Sequence, residues 1–198
     1  MTNVVRRLLA LIAAVALGAS LGTDTATARP TAARATTTTT VTFKVATCEG
    51  CRIQLFHAVR GSATVWQSRV KVVRDGMVRF TIAKRNTHGM SMSVRAPWEG
   101  DTGYVTMAAF RYNDQAVGSR VGFTLARTKT SAAGCWAGTA RDALTLRLGV
   151  RKVTVPGNTG PTAGTIAWFP RTRPWWPPMQ DARKGVLGAQ DVFFCRRP

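Results

Sequence analysis

Apolar and polar residues alternate with a period of two along much of this chain, the pattern of strands with one buried and one solvated face. Val41, Phe43 and Val45 alternate with Thr42, Lys44 and Ala46, and Ile53, Leu55, His57 and Val59 alternate with Arg52, Gln54, Phe56 and Ala58. Met90, Met92 and Val94 share one face of a further run, with Ser91, Ser93 and Arg95 on the other. Leu144, Leu146, Leu148 and Val150 alternate most cleanly, and a shift of phase at Arg151-Lys152 predicts a bulge or a strand end there. Tyr104 to Tyr112 and Val117 to Ala126 read as a hairpin around Asn113-Asp114-Gln115, Thr128 to Gly134 and Pro156 to Gly164 as loops, and Thr165 to Phe169 and Asp191 to Cys195 as short strands. No stretch sustains a helical period.

The most legible stretch is Val70 to Ile82, VKVVRDGMVRFTI, in which two alternating runs flank Arg74-Asp75-Gly76. A two-residue loop at Asp75-Gly76 would set Val73 against Val78 but also Lys71 against Phe80 and Arg69 against Ile82, placing charges in the apolar layer. A three-residue loop, a type I turn with Gly76 in the left-handed conformation, sets Val72 against Val78 and Val70 against Phe80. The three-residue loop is therefore expected, with positive φ at Gly76 and one buried layer of Val70, Val72, Val78, Phe80 and Ile82.

Short strands about 10 to 15 residues apart, with turn signals between them, predict an all-β fold: a single antiparallel β-sandwich of about 8–9 strands, prealbumin-like or Ig-like. The strand IQLFHAV, then Trp66, then V-x-V-x-x-D-G-x-V-x-F-x-I and a strand after Gly89 resembles the prealbumin-like sandwiches, namely transthyretin-like, carboxypeptidase-regulatory-like and surface-protein B-type repeat domains. The C-x-G-C and C-W-A-G elements are similar to those of uncharacterised secreted proteins of high-G+C Gram-positive bacteria. The likeness spans Val41 to Ala96 and departs at Gly89-Met90, where the regulatory-like pattern often has Gly-x-Tyr. It implies an adhesive, stalk or accessory module and brings no catalytic residue with it.

The first residues change the picture of compartment. Arg6 and Arg7 precede the apolar run Leu8 to Leu21, and Ala26-Thr27-Ala28 is a small-x-small site, so residues 1–28 read as a signal peptide removed on export. The apolar run is too short to span a bilayer comfortably, and no transmembrane helix is expected in the mature chain. Arg29 to Thr40, RPTAARATTTTT, has no large apolar residue with which to offset its ordering entropy and reads as a disordered linker. Residues 41–198 then form the sandwich domain.

Charge narrows the partners. Lys and Arg number 28 against 9 Asp and Glu, a net charge of +19 at pH 7, and loss of Arg6, Arg7 and Asp24 with the leader lowers it by only one. Long-range attraction then favours an anionic cell-wall polymer or an anionic membrane surface. No more than two Lys or Arg are consecutive, so an arm for specific nucleic-acid binding is not indicated. A secreted monomer, held near the cell wall by its charge, is the expectation.

Four cysteines, Cys48, Cys51, Cys135 and Cys195, in a chain with an export signal predict disulfides. Three pairings exist. Cys48 with Cys51 and Cys135 with Cys195 is favoured, since the first closes a small turn through Gly50 and the second ties the last strand to the body. A redox C-x-x-C would precede a helix, whereas a strand follows here.

Two constellations could carry chemistry. His88, Met90 and Met92 stand at i, i+2 and i+4, and imidazole with thioethers suits Cu(I); the alternative is that both methionines are packing residues. Otherwise no cofactor is expected. Trp175 and Trp176 sit among the prolines of PRTRPWWPP beside Arg171 and Arg173, a composition suited to an exposed, stiff binding loop or to a lid over the sandwich. Trp66, Trp136 and Trp168 read as core. Glu99 and Asp101 share the loop APWEGDTG with Trp98 and read as a solvated turn. His57 lies mid-strand, with neither a G-x-S-x-G element nor paired carboxylates to make it a base. The expected function is thus a non-catalytic exported binding or accessory module at the bacterial envelope, with a copper-binding protein and a secreted enzyme of unrecognised site as alternatives.

Overall fold

The computed structural model of the protein describes residues 37–58, 65–128, 131–174, 183–184 and 191–193. The expected leader, Val59, Trp175, Trp176 and Cys195 lie outside these residues. Along the chain run β1 (Thr38–Lys44), β2 (Arg52–Ala58), β3 (Val65–Gln67), β4 (Lys71–Val72), β5 (Met77–Ala83), a 3-10 turn (Lys84–Thr87), β6 (Met90–Arg95), β7 (Thr106–Met107) and β8 (Arg111–Tyr112). A short helix α1 (Phe123–Thr128) follows, then β9 (Ser131–Ala133), β10 (Ala143–Arg147), β11 (Gly149–Gly157), β12 (Gly160–Trp168), β13 (Arg183–Lys184) and β14 (Asp191–Phe193). The fold is all-β, but the strands are shorter and more numerous than the expected eight or nine. They form four sheets among the described residues: β10-β1-β5, a second built on β2 and β6 with β3, β4 and β7, the hairpin β11-β12, and β13-β14-β9-β8.

The first two sheets share one core. Val41 and Phe43 of β1, Val78, Phe80 and Ile82 of β5 and Leu146 of β10 belong to the same buried cluster as Ile53 and Leu55 of β2 and Met90, Met92 and Val94 of β6. The alternation in these strands is thus the alternation between core and solvent. β1 begins at Thr38 rather than after Thr40, because Thr38 and Thr39 already pair with Ala83 and Ile82, and Thr39 is buried.

The Asp75-Gly76 turn corrects the expected register. Asp75 and Gly76 have φ of 51° and 64°, and Arg74 and Met77 exchange both backbone hydrogen bonds, at 3.0 and 2.9 Å. This is the two-residue loop with both central residues at positive φ, the type I′ turn that Asp-Gly favours. Val73 is fully buried, whereas Val70 and Val72 are each 42% exposed. The charge clash never arises, because β4 and β5 part after the turn: β4 pairs with β2 and β5 with β1. Lys71 lays its ammonium 5.2 Å from the centroid of the Phe80 ring and donates to the Arg79 carbonyl at 2.7 Å, keeping its head out of the core. The turn therefore joins two sheets.

The C-x-G-C loop packs on this turn. Cys48 and Cys51 form a disulfide with Cα atoms 5.5 Å apart, and Gly50 between them has φ 77°. The Gly50 amide donates to the Val73 carbonyl, the Val73 amide to the Cys51 carbonyl, and the Glu49 carboxylate accepts from the amides of Asp75 and Gly76 at 3.2 and 3.1 Å.

Four further expectations change downstream. The phase shift at Arg151-Lys152 is neither bulge nor strand end, since β11 and β12 pair without interruption from Gly149↔Trp168 to Gly157↔Gly160. Both faces of that hairpin are covered: Val150 and Ala167 face the main core, while Ile166 and Trp168 face a second cluster with Ala109, Tyr112, Val121, Ala126 and Ala132. The buried phase switches because the strand passes from one core to the other. For the same reason Pro156 to Gly164 is no loop; the strands run on to an Asn158-Thr159 turn. Val117 to Ala126 is not a strand either, for Gly118 at φ 91° breaks it and the Ala126 amide of α1 donates to the carbonyl of Gly122, just before the helix. The expected loop at Thr128 to Gly134 contains β9, whose pairing with β8 and β14 comes from distant segments.

Candidate functional site

After β12 the chain enters PRTRP, where two prolines withhold backbone donors and favour an extended path. Residues 170–174 form a strap held on both sides. On one side the Val121 amide donates to the Pro170 carbonyl, Thr172 donates to the Ser119 carbonyl and the Gly118 amide donates to the Thr172 carbonyl. On the other the Arg173 amide donates to the Phe110 carbonyl at 2.7 Å and the Ala137 amide to the Pro174 carbonyl at 3.0 Å. Thr172 is buried and its hydroxyl donates to the Ala116 carbonyl, so the side chains of Arg171 and Arg173 fall on the opposite face of the strap. Under it, Phe169 stacks on Phe110 at 4.1 Å and Phe110 on Trp136 at 5.8 Å.

This strap gathers arginines. Arg171 is exposed and pairs across an antiparallel bridge with Arg120, which is also exposed. One Arg171 terminal nitrogen donates to the Gly118 carbonyl at 3.2 Å. Arg173 is half-buried, and its buried Nε has no hydrogen-bond partner among the described residues. Burial and then the charge of Arg171 lower the affinity of the Arg173 guanidinium for its proton. Like charges opposite one another and a desolvated donor are both relieved by an anion, and guanidinium presents the planar fork that carboxylates and phosphates accept. Arg120 escapes a reading of the sequence because its place beside Arg171 is set by a contact 51 residues away. Trp175 and Trp176, expected to flank this site, lie outside the described residues.

The histidine and methionine run is divided between two environments. Met90 and Met92 are fully buried in the main core. His88 lies beyond Gly89, whose φ of 74° interrupts the strand, and it ends the 3-10 turn half-buried. Met90 is paired instead with His57 of β2 and with Trp136. Among the described residues no three His, Cys, Asp or Glu side chains come together as a metal site.

The remaining candidates have structural partners. Cys135 is buried and disulfide-bonded; Cys195 lies outside the described residues. Trp136 and Trp168 are buried, and Trp66 packs half-buried against the main core. The APWEGDTG loop is fastened to the β11-β12 hairpin: Trp98 Nε1 donates to Thr165 Oγ1 at 3.1 Å and Asn158 Nδ2 to Asp101 Oδ1 at 2.7 Å. The Glu99 carboxylate accepts from Thr106 Oγ1 at 3.4 Å. The loop is less solvated than its composition suggests, and Tyr104 beside it has its phenol pKa raised by burial and then by Glu99.

No helix among the described residues is long and apolar enough to cross a membrane. No family model, curated protein or solved structure matches this chain.

Proposed function

We propose that the protein is an exported, non-catalytic binding or accessory module of the bacterial envelope, secreted and retained near the wall by attraction to anionic polymers. The observation that carries this reading is the strap at 170–174, where Arg171 stands across from Arg120 and near the half-buried Arg173, whose Nε has no partner among the described residues. A net charge of +19 supplies the long-range attraction and the strap supplies directed donors. The prealbumin-like relationship belongs to the same proposal, supported by two sheets about a shared core.

The test is retention of the protein on a purified anionic wall polymer over a range of salt, compared with Arg171→Gln/Arg173→Gln. Each removed phosphate contact should lower the slope of log affinity against log salt by about 0.7 to 0.9, so the double variant should lose about 1.5. Absence of retention at moderate salt would end the reading. A slope unchanged in the double variant would remove the strap from it.

A further inference from the structure

The sheet β10-β1-β5 has a second face, turned away from the core. Its outward positions are Thr40, Thr42 and Lys44 on β1, Met77, Arg79 and Thr81 on β5, and Ala143, Thr145 and Arg147 on β10. The registers set them in rows: Arg147 beside Lys44 beside Met77, then Thr145 beside Thr42 beside Arg79, then Ala143 beside Thr40 beside Thr81. Rows are about 6.5 Å apart and strands about 4.8 Å apart, which makes a regular grid on which hydroxyls and cations predominate. No carboxylate occupies an outward position of the three strands. The acids at its ends are engaged or in the turn: Asp142 pairs with Lys84, Glu49 is bound to turn amides, and Asp75 sits in the turn.

Two features of the grid are costly for a face that serves only folding. Lys44 and Arg147 are direct neighbours, and like charges so placed destabilise a sheet. Among the described residues the Arg79 side chain has one weak partner, Thr42 Oγ1 at 3.4 Å. A bound chain of negative charges relieves both.

We infer that this face docks a linear poly(alditol phosphate), a phosphodiester chain with hydroxylated spacers. The inference rests on the reading of the protein as a polyanion-binding module but places a second contact surface away from the arginine strap. Three cations on three different strands suit a chain of repeated single charges better than one small ion. A three-carbon spacer separates successive phosphates by a distance similar to the row spacing. The threonine hydroxyls donate to phosphate oxygens and pair with spacer hydroxyls. No aromatic side chain stands on the grid, so the bases of a single-stranded nucleic acid would find nothing to stack on.

The experiment measures binding of the protein to purified poly(glycerol phosphate) against salt. It compares Lys44→Gln/Arg79→Gln/Arg147→Gln with a control of equal net charge, Arg69→Gln/Arg85→Gln/Arg127→Gln. The face variant should bind at least tenfold more weakly, with a salt slope smaller by about 2, while the control stays within about threefold. Circular dichroism checks that both fold, and Arg147→Gln alone, on an edge strand, should lose about half a decade should the triple variant not fold. No binding by the unaltered protein overturns the underlying reading. Binding with equal losses in variant and control overturns the face while leaving that reading intact. Competition by single-stranded DNA as effective, per phosphate, as the free polymer overturns the choice of polymer.

Discussion

Replacing Gly138 by Ala should destabilise the protein far more than replacing Gly76, although both glycines have positive φ. Gly76 has φ 64°, close to the left-handed minimum, and a Cβ there would meet Ala46 Cα at 3.6 Å, an ordinary contact. Its cost is conformational: about 1–2 kcal/mol for an L-residue in that region, less about 0.4–1 kcal/mol because Ala restricts the unfolded chain. A net loss of about 1 kcal/mol follows. Gly138 has φ 86°, and its Cβ would stand 2.8 Å from the His88 amide nitrogen and 2.9 Å from the Thr87 carbonyl carbon. Backbone atoms cannot rotate aside. They are also held, since the Thr139 amide donates to Thr87 Oγ1 at 3.0 Å and the Gly89 amide to the Trp136 carbonyl at 2.8 Å. Overpacking adds about 1–3 kcal/mol, for a total of about 2–4 kcal/mol. Urea unfolding followed by tryptophan fluorescence, with circular dichroism as second probe, reads both variants; Trp136 reports from two residues away. A Gly138→Ala loss within about 0.5 kcal/mol of the Gly76→Ala loss would refute the close approach, since that is the scatter expected of independent sites.

Glu49→Ala should cost about 1 kcal/mol, discounted for exposure, with Glu49→Gln between it and the native protein; a neutral Glu49→Ala in urea would show that the turn amides do not depend on the carboxylate. Met92→Ala should lose about 2–4 kcal/mol and Met92→Leu under about 1.5, because Met92 is fully buried and Leu conserves its volume. An anaerobic Cu(I) titration in which Met92→Leu or His88→Ala abolishes tight binding would instead favour the copper reading. Tyr104 keeps its proton in the folded protein above the ordinary 10.0 of the phenol. Its contribution is therefore fully present below pH 10 and lost as pH rises through the folded value, where the unfolded chain has already ionised. Tyr104→Phe should flatten the fall of the urea midpoint with pH in that alkaline range, and an unchanged profile would deny the shift.

Much of the core was legible because its strands bury one face each: Val41, Phe43, Ile53, Leu55, Met90 and Met92 are inward as their alternation requires. The Asp75-Gly76 register was misread on a sound local premise, that residues flanking a turn stay paired. Here they part, and only the pairing of β4 with β2 and of β5 with β1, set by segments far along the chain, makes the favoured turn compatible with Lys71. β11 misled in another way, since alternation presumes one covered face and this strand has two. The arginine strap was half legible: Arg171 and Arg173 stand beside prolines in the sequence, but Arg120 joins them through tertiary contact.

The positive charge acquires meaning from what the acids do. Glu49 holds two turn amides, Glu99 a threonine hydroxyl and Asp101 an asparagine side chain, so these carboxylates serve neutral donors. Lys84 with Asp142 at 2.6 Å shows that an internal counter-charge is geometrically feasible on this scaffold. Lys44, Arg79 and Arg147 nonetheless occupy outward sheet positions where threonine would serve the strands equally well, and their cross-strand neighbours are threonines, another cation and Met77, with no acid among them. Their placement on an acid-free grid leaves the cations available to an external chain of negative charge, and links the charge of the sequence to a particular face of the fold.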